Sequence, residues 1–580
     1  MRKDLETEQQ IFFRVANVFF KHSFQTSKLC IPEPSGSRLT ATMASLVAHL
    51  PSTINYAALA AVAGIFTVIF VLHRAVSSSA TYPKDLPLVG EPVGRRRFSL
   101  RTRWRYYSDC VSLYKEAYHN YSKKGKVVLV PGFGFGMEII LPESCLQWAQ
   151  GQPNDVLSVT QAFIEINQTQ YSLGHTRYWG DGWQFTLVKT QLSSVLQSLI
   201  PALDEELQHA FDKHFGTNSQ SWTEVPLEKT LRKIAAQASS RFTVGYPLCR
   251  NDEYLDLTYR IIDGLMLGAI FGNSAPRMLR WLVGRLVGWN THRNIDKIKK
   301  YFRPLYQERL EGLKYEKDDP AHPEPRDHVQ MMMRFAEKKR PRELVDFDIM
   351  TKRLCAANFV SIHQTTITVT NMLLNIIGSD AEFNTITILR DEVIRVLGSD
   401  EAGWTKEKFA QMTKTDSVSR ETMRLNLFGN RTMMRKVMKD GVVTDDGIKL
   451  PKGSIFSFLA QPAQCDEEKF ADPLKFDPFR FSRQREASTQ AEENAADGLT
   501  FVSTGPEYLP FGHGKHSCPG RFMVDYELKM IVAYVLMNYD IDFPIDYAGK
   551  RPAHVWLLEV GIPPPGARIR FKRRAQEFAA

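Results

Sequence analysis

The chain has 580 residues, 43% hydrophobic and 24% charged, with a formal net charge of +10. That length buries a large core, and Lys and Arg scattered among acids argue against a nucleic-acid partner. Seven cysteines, odd in number and without a C-x-x-C pair, argue against a disulfide framework or a zinc site and suit a reducing compartment.

In chain order, residues 1–53 read as a leader. Met43 makes the more natural start, which leaves 1–42 as a disordered or over-extended stretch. Tyr56–Leu72 (YAALAAVAGIFTVIFVL) carries no charge. At 1.5 Å per residue it spans roughly 26 Å, close to the lower limit for a bilayer helix. Residues 54–73 are therefore expected to be a transmembrane anchor, against the alternatives of a buried core helix or a cleaved signal peptide. Arg74, Lys84 and Arg95–Arg97 follow it, whereas 43–55 holds no Lys or Arg, so the positive-inside rule places the rest of the chain in the cytosol. The sequons at Asn120, Asn167 and Asn430 would then stay unmodified.

Residues 74–92, with Pro83, Pro87 and Pro92, read as a stiff hinge, and 93–580 as one large domain. Helical spacing is expected over Leu187–Phe215, Val225–Phe242, Leu255–Phe271, Thr385–Leu397 and Thr405–Leu427. Val345–Ile377 predicts a long helix, apolar nearly all round with polar inclusions at its centre. Gly441–Phe458 predicts a hairpin about Asp446-Gly447, and Gln484–Gly498 a polar surface loop. Gly132–Gly136 (GFGFG) lacks the spacing of a dinucleotide fingerprint and reads as a turn between strands. Met331–Met333 reads as core packing. The class is mainly α with small β-sheets.

Phe511–Arg521 reads FGHGKHSCPGR. A thiolate that ligates a metal must be charged yet shielded, which backbone N–H groups achieve if glycine lets them approach. Gly514 and Gly520 flank Cys518, and a helix predicted over Arg521–Leu536 places its N-terminus beside the sulfur. A buried inert thiol is the blander alternative. The pattern F-x-x-G-x-x-x-C-x-G, filled by Phe511, Gly514, Cys518 and Gly520, resembles the haem-binding signature of the cytochrome P-450 superfamily. At this composition it arises in roughly 2 of 1,000 shuffled chains. The resemblance covers about residues 82–572. The wording TFVSTGPEYLPFGHGKHSCPGRF is most similar to filamentous-fungal members that oxidise terpenoid or other polycyclic natural products, gibberellin-pathway (kaurene-oxidase-like) oxidases among them.

The resemblance implies a single large haem domain behind the anchor, haem b as cofactor, Cys518 as iron ligand, and His516 in contact with a propionate. It implies further propionate contacts for Lys189, in Phe185-x-x-x-Lys189, and for Arg435, each of which also fits a snorkelling surface cation. It matches Glu421-x-x-Arg424 and Arg480 to a structural charge triad, with a solvated helical pair as the alternative. Ser361–Thr366 matches a segment that kinks over the haem and delivers protons. Thr365 fills the threonine, but Gln364 stands where an acid is common and carries no titratable proton. The implied partners are O2, a small hydrophobic substrate, membrane lipid and a separate NADPH-cytochrome reductase, with no nucleic acid, and the implied location is the endoplasmic reticulum membrane. Substrate contacts are expected from 163–171, 265–271, 358–365, 426–432 and 555–557. The expected reaction is monooxygenation. A haem-thiolate isomerase, dehydratase or desaturase, or a non-catalytic membrane haem protein, stands as the alternative.

Overall fold

The computed structural model of the chain describes residues 82–317, 319–398, 403–487 and 498–575, and Gly64 before them. The chain divides into two units, Met1–Ser77 and Ser78–Ala580. The predicted leader and the anchor over Tyr56–Leu72 lie outside the described residues, Gly64 excepted. Among the described residues no helix is long and apolar enough to cross a membrane.

Helices make up most of the second unit. Those that frame the site are α1 (Cys110–Asn120), α2 (Val159–Asn167), α3 (Thr169–Ser172), α4 (Trp183–His214), α5 (Leu227–Thr243), α6 (Asp252–Ser274) and α7 (Arg280–Gly312). They continue as α8 (His328–Lys339), α9 (Phe347–Phe383), α10 (Thr385–Leu397), α11 (Lys406–Ala410), α12 (Thr413–Leu425) and α13 (Arg521–Asn538). Local chemistry sets several starts: Asn251, Asp327 and Asp346 each accept the third backbone N–H of α6, α8 and α9 on a side-chain oxygen.

The strands are short. β1 (Val128–Pro131), β2 (Met137–Ile140), β3 (Leu157–Ser158), β5 (Arg431–Val437) and β8 (Ile455–Leu459) form a sheet in the order β1-β2-β8-β5-β3. β4 (Thr223–Pro226), β12 (Arg568–Arg573) and β9 (Tyr539–Asp542) form a second. β6 (Val442–Val443) pairs with β7 (Lys449–Leu450), and β10 (Val555–Leu557) with β11 (Val560–Ile562). Gly132–Gly136 is the turn between β1 and β2, closed by Gly132 N–H on Gly136 O at 3.1 Å.

Two cores result. The larger gathers α4 to α6 around α9 and α13, and α13 is buried from Met523 to Leu536 apart from Val524. The smaller lies between α1 and the five-stranded sheet. Met331–Met333 pack in the larger core. Leu88 and Val89, within the proline-punctuated stretch, are buried, and Val89 N–H donates to Leu129 O at 3.0 Å.

Two expectations change, and one long helix was not foreseen. Thr405–Leu427 is not one helix: the chain turns at Gln411–Met412, where buried Met412 packs in the core and α12 begins afresh. Gly441–Phe458 holds only the short β6–β7 hairpin, while β8 joins the main sheet. The 33-residue α7 escaped the sequence, because Trp281, Leu282, Leu286 and Trp289 lie exposed and erase the usual apolar period.

Candidate active site

The Cys518 loop is closed by its own backbone. Cys518 N–H donates to Phe511 O at 2.8 Å and Ser517 N–H to Gly514 O at 3.0 Å. Gly512 and Gly514 take the left-handed conformation, φ +66° and +71°, that such a tight loop needs. Arg521, at the start of α13, donates from Nη1 to Cys518 O at 2.7 Å and from Nε to Val502 O at 2.9 Å. The Phe511 ring meets Phe501 edge-on at 5.2 Å.

Cys110, Cys145, Cys249 and Cys355 are buried and Cys465 half-buried; Cys518 alone among the described cysteines is exposed. Protein nonetheless crowds its sulfur closely enough for burial to act on the thiol. Burial raises the thiol pKa, while the backbone N–H groups of Gly520 and Arg521 and the charge of Arg521 oppose the rise. Two N–H donors on one accessible sulfur suit an anionic, metal-bound thiolate. A Cβ at Gly520 would stand 3.8 Å from Sγ.

A cationic rim adjoins this loop. Partial burial, then the charges of Arg435, Lys515 and Lys189, pull the exposed His516 imidazole down to about 4. Lys189 on α4 reaches the loop, Nζ to Lys515 O at 3.3 Å. Arg435 is only 4% exposed and burial lowers it to about 10. Its Nη1 donates to Met434 O at 3.0 Å, and no carboxylate pairs with it among the described residues. Left-handed Met433 (φ +54°) and a register shift between Thr432 and Arg435 interrupt β5 and re-aim this side chain. Thr432 Oγ1 ties the same strand to Leu509 O at 3.2 Å, beside the loop. A buried cation without a counter-ion fits the carboxylates of a bound haem, so sulfur and rim together match that group.

Glu421, Arg424 and Arg480 meet in the interior. Glu421 grips one edge of the Arg424 guanidinium through Nε and Nη2, and Arg480 Nε donates to Glu421 Oε1 at 3.2 Å. Arg424 also donates to Gln464 O and Pro473 O, both at 2.7 Å.

On α9, Gln364 is exposed and Thr365 buried. Thr365 Oγ1 donates to Ser361 O at 3.0 Å, and Thr366, Thr368 and Thr370 bond back four residues in the same way. The helix runs unbroken through 361–366, where the resemblance implies a kink. His363 meets Phe428 edge-on at 6.1 Å. His513 Nδ1 lies 3.0 Å from Thr504 Oγ1.

The expected substrate segments each present a large apolar side chain: Phe163, Phe271, Val360 and Leu557 are exposed, and Phe428 half-buried. Phe163 stacks on Trp179 at 5.4 Å, and Trp179 meets Phe359 of α9 at 6.0 Å.

The sequence reading missed Arg431, Glu138 and Glu559, which form a buried ion cluster beside β5. The signal was present: Glu559 is the one charge within VWLLEVGI.

The family model described as Cytochrome P450 matches residues 185–571. The chain is 52% identical over 509 residues to the cytochrome P450 monooxygenase pbrC of Penicillium brasilianum, covering 87% of this chain and 95% of that one. It is 52% identical over 535 residues to the cytochrome P450 monooxygenase tenB of Beauveria bassiana, covering 91% and 98%. With astC of Aspergillus terreus, also a cytochrome P450 monooxygenase, it shares 51% over 499 residues, covering 85% and 93%. In fold it is similar to retinoic acid bound cyanobacterial CYP120A1, with a TM-score of 0.58 at 16% identity, over 86% of this chain and 100% of that one.

Proposed function

This chain belongs to the cytochrome P450 family, and from that premise we propose that it is a monooxygenase whose Cys518 ligates the iron of haem b. The observation that carries the assignment is Cys518 itself, an accessible sulfur under two backbone N–H groups. Bound haem supplies O2 activation, with electron donation from the thiolate favouring O–O cleavage.

The chain's own residues do the rest. Arg435, Lys189 and His516 would hold the group by its propionates, giving Arg435 a counter-ion that no carboxylate among the described residues supplies. The Glu421–Arg424–Arg480 triad fixes the chain beneath the site and takes no part in the chemistry. Thr365 Oγ1, together with water, would serve proton delivery there, because the Gln364 amide carries no titratable proton. Phe163, Phe271, Val360, Phe428 and Leu557 enclose a hydrophobic substrate and exclude water.

The substrate class is a polycyclic natural product of terpenoid or mixed origin, which suits the apolar lining and the fungal relatives. Electrons come from a separate NADPH-cytochrome reductase docked by charge. The enzyme sits on the endoplasmic reticulum membrane through Tyr56–Leu72 with its catalytic domain, residues 93–580, cytosolic. Supporting lipid contact, Met278, Trp281, Leu282, Leu286 and Trp289 lie exposed on and beside α7 among Arg285 and Arg293, the mixture that sits at a headgroup boundary. A second reading, isomerisation, dehydration or desaturation without net oxygen insertion, draws on Gln364 at the acid position.

The test is the carbon-monoxide difference spectrum of the dithionite-reduced membrane fraction beside Cys518→Ala. A thiolate-type Soret band lost in the variant is expected; a histidine-type spectrum, or no haem, defeats the assignment. Turnover that needs neither NADPH nor O2 favours isomerisation or dehydration, and O2-dependent turnover whose product gains no oxygen favours desaturation.

A further inference from the structure

Arg431 opens β5 as a buried guanidinium between two carboxylates. Nε donates to Glu559 Oε2 at 2.6 Å, and Nη1 pairs with Glu138 of β2. Tyr114 of α1 donates its hydroxyl to Glu559 Oε2 at 3.0 Å. Two acids therefore face one base in a setting largely shielded from water, and burial pushes the Glu138 carboxyl up. Such a cluster is a poor device for stability, because apolar side chains of similar volume serve as well. Its placement explains it better.

Glu559 and Leu558 form the two-residue turn of the β10–β11 hairpin, and Leu557 just before them is exposed. Leu558 is left-handed, φ +57°, a conformation that a residue with a side chain disfavours and that persists only where its surroundings impose it. The surroundings are the strand entry before β5. Asn430 N–H donates to Glu559 O and Gly561 N–H to Phe428 O, both at 2.8 Å. Arg431 adds the side-chain tie. The same strand bonds Leu509, beside the Cys518 loop, through Thr432 and carries Arg435, whose charge acts on His516.

We infer that Arg431 and Glu559 are positioning residues: their ion pair sets where the exposed Leu557, next to the β10–β11 turn, stands against a bound substrate and so decides which bulky ligands fit. This rests on the haem-site reading above.

The spare acid makes a clean experiment. Removing either carboxylate leaves Arg431 neutralised by the other, but only Glu559 sits on the hairpin. Full-length wild type, Glu559→Gln, Glu559→Ala and Glu138→Gln are titrated with imidazole, which reads the iron alone, and with clotrimazole, which also fills the apolar cavity. Both are followed by the Soret shift. The expected result is clotrimazole binding weakened about tenfold in both Glu559 variants, the size of a one-contact change in an apolar pocket. Imidazole stays within about twofold, and Glu138→Gln leaves both azoles unchanged. Clotrimazole unmoved by Glu559→Ala, or weakened equally by Glu138→Gln, overturns the inference, as does a parallel loss of imidazole. A wild type without a thiolate-type carbon-monoxide band instead overturns the haem assignment.

Discussion

Glu421 and Arg424, three residues apart on α12, are paired twice, Nε to Oε2 at 2.7 Å and Nη2 to Oε1 at 2.8 Å, with neither side chain exposed to solvent. Arg424 also bonds two carbonyls from the segment 464–473, which leads toward the cysteine loop. Removing one partner strands a charge where water cannot reach it, at a cost of about 3–5 kcal/mol, a large share of a typical domain's stability. Glu421→Gln is expected to unfold at markedly lower urea and to lose most haem. Arg424→Lys fares little better, because an ammonium cannot reproduce the fork. Urea titration and haem content check both.

Arg435 makes the opposite prediction for the apoprotein. Its charge is buried without a carboxylate partner among the described residues, so Arg435→Met relieves a cost when no haem is bound and removes a propionate partner when it is. The apoprotein midpoint in urea should hold or rise. Haem transfer to apomyoglobin should quicken roughly ten- to hundredfold, matching one lost charge-assisted bond of about 1.5–3 kcal/mol. A variant that destabilises the apoprotein would show that Arg435 serves the fold.

These sites differ in how far the sequence revealed them. The Cys518 loop was legible because its chemistry is local: glycines, cysteine and helix start fall within eleven residues. Glu421 and Arg424 were legible as a helical i, i+3 pair, but Arg480 lies 56 residues further on and needed the resemblance to join them. Long amphipathic helices such as α10 carry their own period, and there the predicted and observed limits coincide at Thr385–Leu397. The Arg431 cluster joins β2, β5, α1 and the β10–β11 turn, separated by over a hundred residues at each longer step, and no local period encodes such a meeting.

Close helix approach is a third such long-range feature. Gly284 and Gly288 put one bare face of α7 against Tyr171 of α3, and a Cβ at Gly288 would stand 2.7 Å from Tyr171 O. Backbone cannot yield as a flexible side chain does, so Gly288→Val should cost about 1–3 kcal/mol by overpacking. A Cβ at Gly312, at the end of the same helix, meets nothing within 4 Å, and Gly312→Ala should change little. Urea midpoints of the two variants, compared side by side, measure the difference. Because α3 belongs to a segment expected to contact substrate, Gly288→Val should also loosen clotrimazole binding.

Glu527 on α13 couples stability to pH. It is 3% exposed, its carboxylate accepts from Ser239 Oγ at 2.8 Å, and burial raises it from 4.5 to about 7 despite that bond. The folded state therefore holds a proton that the unfolded chain releases at about 4.5. Between these values the folded form binds more protons, so stability falls as pH rises, and above about 7 it levels off. At 1.36 kcal/mol per unit the loss is on the order of 3 kcal/mol. Glu527→Gln keeps a neutral side chain of the same shape at every pH. Urea unfolding at pH 5 and pH 8 should show a smaller drop in the variant, with the two proteins closest at pH 5 and the variant more stable at pH 8. Equal slopes in variant and wild type would mean that Glu527 is ionised in the fold and solvated from a side that Ser239 does not cover.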